Sequence, residues 1–232
     1  MTRRSTLSLD LLDYSKFRAV IFDVDGTLYN QRSLRSKMAL EMLTFLIFKP
    51  TSLREIIIVR EFRKLREKFS EREEASLLEA QYRWVSVSLN IDYYIVKRVV
   101  DNWILVRPLK HLLSCRPPGV FELFERIKTK KIKLGVFSDH PPKEKLAALN
   151  LEADLSACAL DAEINRFKPS PAGLLHLCDK FGVVPSEALH IGDREDRDQL
   201  AARSCGVHSI ILPASKAKRL GREQTYDLIF PN

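Results

Sequence analysis

Cysteine is scarce in this 232-residue chain. The four present, Cys115, Cys158, Cys178 and Cys205, form no C-x-x-C pair and have no histidine at metal-ligand spacing. That argues against a zinc motif or a disulfide framework, and the thiols read as reduced, mostly core-filling residues of an intracellular protein. Long apolar runs are missing too. The most apolar stretches, Met42 to Phe48 and Ile56 to Val59, fall far short of the ~20 residues that span a bilayer. The opening MTRRSTLSLDLL has two arginines with no apolar stretch behind them, so it is not expected to act as a secretory signal. A cytoplasmic location is the expectation. Glycine is absent from Gln31 to Arg116, which removes the commonest breaker from that region and suits helices. There is no internal repeat and no low-complexity segment.

The rest of the composition, 45% apolar and 29% charged, is that of a soluble globular protein with a real core. Residues 18–23 (RAVIFD) are short, β-branched and aromatic, and read as a buried strand; 132–137, 187–191 and 207–212 repeat the pattern. YDLIF near the C-terminus would add a last strand. Helical faces alternate with these strands, carried by Phe121, Phe124 and Ile127 and by Leu174, Leu177, Cys178 and Phe181. The pattern predicts an α/β fold with a parallel, Rossmann-like sheet. Residues 1–29 and 118–232 would make the sheet domain, and 30–117 an inserted α-helical cap. Within the insert, Ser52 to Glu55 fits a capping box for a helix reaching Phe69, and Ser70 to Glu73 fits another for a helix fading near Asn90. Asp92 would cap a third helix, running to Val106 and ended by Pro108. The segment RPPG at 116–119 reads as a stiff junction.

Positive charge is concentrated in that insert. Between Asn30 and Pro117, 17 Lys and Arg face 10 Asp and Glu, a net of +7 out of +8 for the whole chain. An anionic small molecule, nucleic acid or an anionic membrane surface would be attracted, with a solvated helix surface as the plain alternative.

The chemistry-bearing residues fall at strand ends. The strand at 18–23 runs into Asp23-Val-Asp25-Gly-Thr27, that at 132–137 into Ser138-Asp139-His140, and that at 187–191 into Gly192-Asp193 with Asp198 five residues on; Lys168 precedes the helix that starts near Pro171. In a parallel sheet such residues converge on one crevice. Asp23 and Asp25 send two like charges to one spot, and strand geometry alone would point them to opposite faces, so a turn at Val24 to Gly26 is required.

In this set of four motifs the chain resembles the haloacid dehalogenase (HAD) superfamily of aspartate-nucleophile phosphotransferases, over about residues 15–29 and 118–215. The insert matches only in position and helical character, as a helical cap of the first type, like that of phosphoglycolate phosphatase-like and β-phosphoglucomutase-like members. The resemblance implies an Asp23 nucleophile forming an aspartyl-phosphate. Asp25 would be the acid that protonates the leaving group and then activates water. Mg²⁺ would be held by the Asp23 and Asp193 carboxylates and the Asp25 backbone carbonyl. Ser138 and Lys168 would bind the phosphoryl oxygens, and Asp198 would orient Lys168 or a metal-bound water. Members that cleave carbon–halogen bonds generally lack Asp25, so its presence implies a phosphatase of small phosphorylated metabolites. A phosphomutase of the β-phosphoglucomutase type is the alternative within enzymes. Outside them, the alternative is a binding protein using its basic cap on nucleic acid or anionic membrane.

Asp139 departs from the Asn common at its position. His140 is read as an exposed loop residue, with substrate contact as the alternative. Arg32 and Arg35 are the nearest basic candidates for binding the substrate beyond its phosphate, with solvated side chains as the alternative; the basic insert fits a substrate with negative charge beyond its phosphate, and nucleic acid is not expected. The large apolar residues of the insert, Met42, Phe45, Ile47, Phe48, Trp84, Tyr93, Tyr94 and Trp103, are expected mostly in its core, with an apolar or lipid-linked leaving group as a further option.

Overall fold

The computed structural model describes residues 13–49 and 53–212, with Tyr226, Ile229 and Phe230 beyond them. Five parallel strands form one sheet: β1 (Ala19–Phe22), β2 (Lys133–Ser138), β3 (Leu155–Cys158), β4 (Ala188–Gly192) and β5 (His208–Ile211), in the order β3-β2-β1-β4-β5. β1 is central, with Ile21 in register with Gly135 on one side and His190 on the other. Every residue of β1 and β4 is buried, as expected of parallel strands covered on both faces. Because β2 and β4 flank β1, the residues that follow these three strands emerge side by side at one end of the sheet.

Between β1 and β2 the chain passes through α1 (Gln31–Phe48), α2 (Leu53–Lys68), α3 (Leu77–Leu89) and α4 (Tyr93–Val100). A wider helical turn over Asp101–Val106 and the short α5 (Leu109–Leu112) follow, and α6 (Val120–Thr129) returns to the sheet. α7 (Lys143–Ala148), α8 (Ala172–Phe181) and α9 (Leu200–Cys205) come after β2, β3 and β4. α6 buries Val120, Leu123, Phe124 and Ile127, the i, i+3, i+4, i+7 face of a helix, and Phe124 meets Phe22 of β1 with ring centroids 4.9 Å apart.

Local chemistry sets the helix starts. The Asn30 side chain accepts from Ser33 N–H at 3.1 Å and opens α1. Asp92 accepts from Tyr94 and Ile95 N–H and opens α4 as expected. Ser52, the expected cap of α2, lies outside the described residues. The second expected capping box fails: Ser70 Oγ donates to Glu67 O, and α3 starts only at Leu77, where Ser76 Oγ accepts from Glu79 N–H. Two serines with a Glu three residues on compete there, and Ser76 is the one that precedes the apolar run. The helical stretch that Asp92 opens ends at Val106 as expected, and Pro108 stands between it and α5, where its missing N–H costs nothing. Of the expected last strand, the described Tyr226, Ile229 and Phe230 are not in a strand; they are buried in the same apolar cluster as Phe22.

Trp103 is the buried centre of the insert. Phe45 packs on it edge to face with centroids 5.4 Å apart, the Arg107 guanidinium stacks 4.2 Å above its ring, and its Nε1–H donates to Glu55. Not all the large apolar residues follow it inward. Tyr94, Ile47 and Phe48 are exposed, against expectation. No helix among the described residues is long and apolar enough to cross a membrane.

The sheet also has a tight point. A Cβ on Gly173 of α8 would run into the ring of Phe137 in β2, which is itself wholly buried. Gly173→Ala should therefore lower stability by about 1–3 kcal/mol despite the better helix propensity of alanine. Urea denaturation would show this as a lower midpoint, and an unchanged or raised midpoint would refute the packing argument.

Candidate active site

The last ladder bond of β1 runs from Asp23 N–H to Ile191 O at 2.8 Å, after which the chain leaves the sheet. It turns at once over residues 25–28, with Thr27 and Leu28 N–H both reaching Val24 O. Gly26 sits at φ +98°, a region that glycine adopts readily, and a Cβ there would collide with the Asp193 carboxylate. The turn demanded by the two aspartates is thus present, and it presses the first motif against the fourth.

Asp23 is nearly buried, and Lys168 Nζ donates to its Oδ1 at 2.5 Å. The same ammonium donates to Asp198 Oδ1 at 2.7 Å. Asp198 Oδ1 also faces His190 Nε2 at 3.0 Å, its Oδ2 accepts from Arg194 N–H, and His190 Nδ1 is anchored 3.0 Å from Ile21 O. Charge is sorted accordingly. Burial opposes ionisation of Asp198, yet Lys168 and His190 hold its carboxyl below the ordinary range. Burial likewise opposes the Lys168 charge, and Asp23 with Asp198 overrides it and raises its pKa. At Asp23 burial wins. Lys168 offsets it only in part, Asp198, Asp193 and Asp25 add repulsion, and the carboxyl is pushed well above its ordinary value.

Asp25 faces elsewhere. Its Oδ1 accepts from Lys145 Nζ and from Tyr29 OH, two groups that sequence reading did not single out. Burial raises its pKa, but Lys145 and then His140 outweigh it, and the carboxyl is held below the usual carboxylate range. Lys145 is itself buried in α7. The signal for it was in the sequence: Pro142, Lys145, Leu146 and Leu149 are all buried at i, i+3, i+4, i+7, a lysine on an apolar face, while its neighbour Lys143 is exposed.

The loop after β2 is braced by the insert. Arg66 of α2 donates to Asp139 O at 2.8 Å and to the His140 ring, and its guanidinium lies 4.5 Å over Phe167. His140 is therefore half-buried against an arginine, not the exposed loop residue expected, and burial, with Arg66 and Lys145 adding to it, holds the ring neutral. Asp139 Oδ1 accepts from Lys168 N–H. Ser138 is fully buried, its Oγ accepting from His140 N–H at 3.2 Å. The neighbouring Glu67 takes Arg194 and Arg197 from the loop after β4.

Between the strand ends and the insert lies a cavity of about 300 Å³, lined by Asp23, Asp25, Asp139, His140, Lys145, Lys168, Asp193 and Asp198 from the sheet side. Arg35, Arg63 and Arg66, with Leu34, Met38 and Trp103, line it from the insert. Arg32 is exposed and is not part of this lining, nor is Ser138.

Three observations fit a divalent cation here. Asp23, Asp193 and Asp198 each offer a carboxylate oxygen, all within 4.8 Å of one another. Asp23 Oδ2 is buried with no hydrogen-bond partner among the described residues. Finally, the Asp23 and Asp198 carboxylates share one ammonium, that of Lys168. Hard oxygen donors of this kind suit Mg²⁺ or a similar ion.

Residues 17–206 match the family model described as haloacid dehalogenase-like hydrolase. A phosphoglycolate phosphatase of Pasteurella multocida is 34% identical over 97 residues, 40% of this chain and 43% of that protein, so the chain spans less than half of that relative. PpaX of Clostridium perfringens, which carries a pyrophosphatase name, is 30% identical over 210 residues, 86% of this chain and 87% of that protein. The crystal structure of a 2-haloacid dehalogenase from Pseudomonas syringae superposes with a TM-score of 0.59 at 21% identity, covering 84% of this chain and 86% of that one, a likeness of fold alone.

The Asp25–Lys145 pair has a pH signature. A carboxyl whose folded pKa is depressed stabilises the fold above its unfolded value near 4 and loses that contribution as pH falls through the folded value. Lys145→Met leaves the buried carboxylate without its cation and should cost about 3–5 kcal/mol at pH 7. The gap from the parent protein should narrow by roughly 1 kcal/mol by pH 3. Urea denaturation at the two pH values checks this, and a gap independent of pH would contradict the pairing.

Proposed function

The chain belongs to the haloacid dehalogenase-like hydrolase family, and from that premise we propose that it is a Mg²⁺-dependent phosphatase acting on a small phosphorylated metabolite. The observation that carries the reading is Asp23 Oδ2, a buried carboxylate oxygen with no hydrogen-bond partner among the described residues, in a carboxylate that lines the cavity. Its other oxygen is held by Lys168, which fixes the orientation of an in-line nucleophile. The cation would be held by Asp23 and Asp193 with the Asp25 backbone carbonyl, and it would supply the positive charge that lets a carboxylate and a phosphate dianion meet.

The chain's own residues then divide the work. The Asp23 carboxylate attacks phosphorus, the bond from phosphorus to the leaving oxygen breaks, and that oxygen departs with the electron pair. Lys168 neutralises the equatorial phosphoryl oxygens, where charge concentrates in a loose transition state. Asp198 keeps Lys168 aimed and charged, and is itself held by His190. The leaving oxygen takes its proton from the Asp25–Lys145 pair, in which the Lys145 ammonium donates to the Asp25 carboxylate. Once ionised again, Asp25 takes a proton from the water that attacks the aspartyl-phosphate, and Asp23 is released. Ser138, behind the cavity wall, would act through the backbone of the loop after β2. The presence of Asp25 supports phosphoryl transfer over dehalogenation, and α1 to α5 serve as the cap over the site.

Substrate charge follows from the cap. Arg35 and Arg63 line the cavity without a hydrogen-bond or ion-pair partner among the described residues. Burial, reinforced by the nearby Arg35, lowers the Arg63 pKa, a cost that a bound anion would remove. A substrate with a second anionic group beyond its phosphate fits them.

Asp23→Asn should abolish Mg²⁺-dependent release of inorganic phosphate from p-nitrophenyl phosphate, and a fully active variant would remove the nucleophile assignment. Release of phosphate, and not its transfer within the substrate, also distinguishes a phosphatase from a phosphomutase. Arg63→Ala should raise KM about tenfold or more for a phosphate ester bearing a carboxylate, the loss of one charge-assisted contact, and leave p-nitrophenyl phosphate hydrolysis nearly unchanged. Equal effects on both substrates would exclude a role in reading the second anion.

A further inference from the structure

The helix α1 is apolar on two opposite sides. Leu34, Met38, Met42 and Phe45 turn inward, the first two buried and the others packed against the core. Leu40, Leu43 and Ile47 lie on the opposite stripe, one helical turn apart, and are 66%, 56% and 68% exposed. Phe48, at the end of the helix, is 83% exposed. Leu53 and Ile57 continue the feature on the first turns of α2, at 59% and 54%. Five residues of chain keep Phe48 and Leu53 within about 18 Å, so the end of α1 and the start of α2, each with exposed apolar side chains, lie near one another. Isolated exposed leucines need no explanation, but six large apolar residues gathered on two consecutive helix ends mark an interaction surface.

Charge says what covers it. Residues 31–68 carry ten Lys and Arg against four Glu. All four glutamates are engaged within the fold: Glu41 by Arg107, Lys110 and His111, Glu55 by Trp103, Glu61 by Lys64 and Ser88, and Glu67 by Arg194 and Arg197. Arg32, Arg54 and Arg60 are exposed on the same helices and have no hydrogen-bond or ion-pair partner among the described residues. The field around the apolar face is therefore positive. A second copy of the chain would bring the same cations against themselves. The chain's own segments outside the described residues repel it too, since 1–12 carry one net positive charge and 213–225 three.

We propose that the exposed apolar face at the end of α1 and the start of α2 docks on an anionic lipid surface. Leu43, Ile47, Phe48 and Leu53 enter the boundary between headgroups and acyl chains, and Arg54 and Arg60 remain among the phosphates. This is the arrangement of an interfacial helix, whose affinity sums apolar burial and attraction to anionic headgroups. It does not depend on the phosphatase reading, because the residues concerned lie outside the cavity lining.

The test is co-sedimentation of the full chain with vesicles of phosphatidylcholine alone and of phosphatidylcholine mixed with phosphatidylserine, beside the oligomeric state by light scattering. Binding to the anionic vesicles only, weakened by added salt, is the expected result. Phe48→Asp, at a site too exposed to threaten folding, should reduce it roughly tenfold or more. Arg54→Ala with Arg60→Ala should weaken it while leaving the thermal midpoint unchanged. Absence of binding to anionic vesicles, equal binding to both kinds, or binding indifferent to Phe48→Asp would each overturn the proposal. So would a parent protein that is dimeric and becomes monomeric with Phe48→Asp, since a second copy would then be the occupant.

Discussion

The Lys168 ammonium sits almost wholly buried between Asp23 and Asp198, within 2.5 and 2.7 Å of their oxygens. Without it, two carboxylates delivered by adjacent strands would face each other in a low-dielectric pocket, and at least one would have to take up a proton. The order β2-β1-β4 makes that crowding unavoidable, because it places three acidic loops side by side. The protein answers it by pairing. Lys168 bridges Asp23 and Asp198 and Lys145 neutralises Asp25, while Asp23 Oδ2 keeps no hydrogen-bond partner among the described residues. That oxygen, in a carboxylate grouped with those of Asp193 and Asp198, is the physical basis for a cation, and burial accounts for the raised pKa of Asp23.

A second constraint holds the insert over this pocket. Arg66 and Glu67, neighbours at the end of α2, reach opposite sides of the strand ends: Arg66 to the loop after β2, Glu67 to two arginines of the loop after β4. One helix end thereby ties both walls of the cavity, with an arginine stacked on Phe167 as the less solvated part of the tie. α1 closes a further side through Leu34 and Met38 while leaving Leu40, Leu43 and Ile47 outward. The same helix therefore serves the cavity with one face and has no packing partner among the described residues for the other.

Much of this was legible in the residues alone. The buried strands announce themselves by short β-branched runs, and the α/β order follows from their alternation with helical faces. Asp23, Asp25, Lys168, Asp193 and Asp198 could be named from their places after strands. Less legible were β3, whose LSAC lacks a strong apolar run, and the start of α3, where two serine caps compete within seven residues. The C-terminal YDLIF has the composition of a strand, but Tyr226, Ile229 and Phe230 fill a core position without joining the sheet, a choice that packing makes and propensity does not.

The sequence by itself determined the fold class, the carboxylates that the strands would deliver and the need for a turn between Asp23 and Asp25, because each depends on spacing along the chain. Only the tertiary structure decided which charges meet. Lys145 reaches Asp25 across 120 residues, and Arg66 reaches a loop more than seventy residues away. Likewise the exposure of Ile47 and Phe48 is set by where Trp103 sits, since that ring takes Phe45 inward and leaves the opposite stripe of α1 to solvent. Periodicity can say that a helix has an apolar face, but which of two such faces is buried depends on what the rest of the chain brings to it.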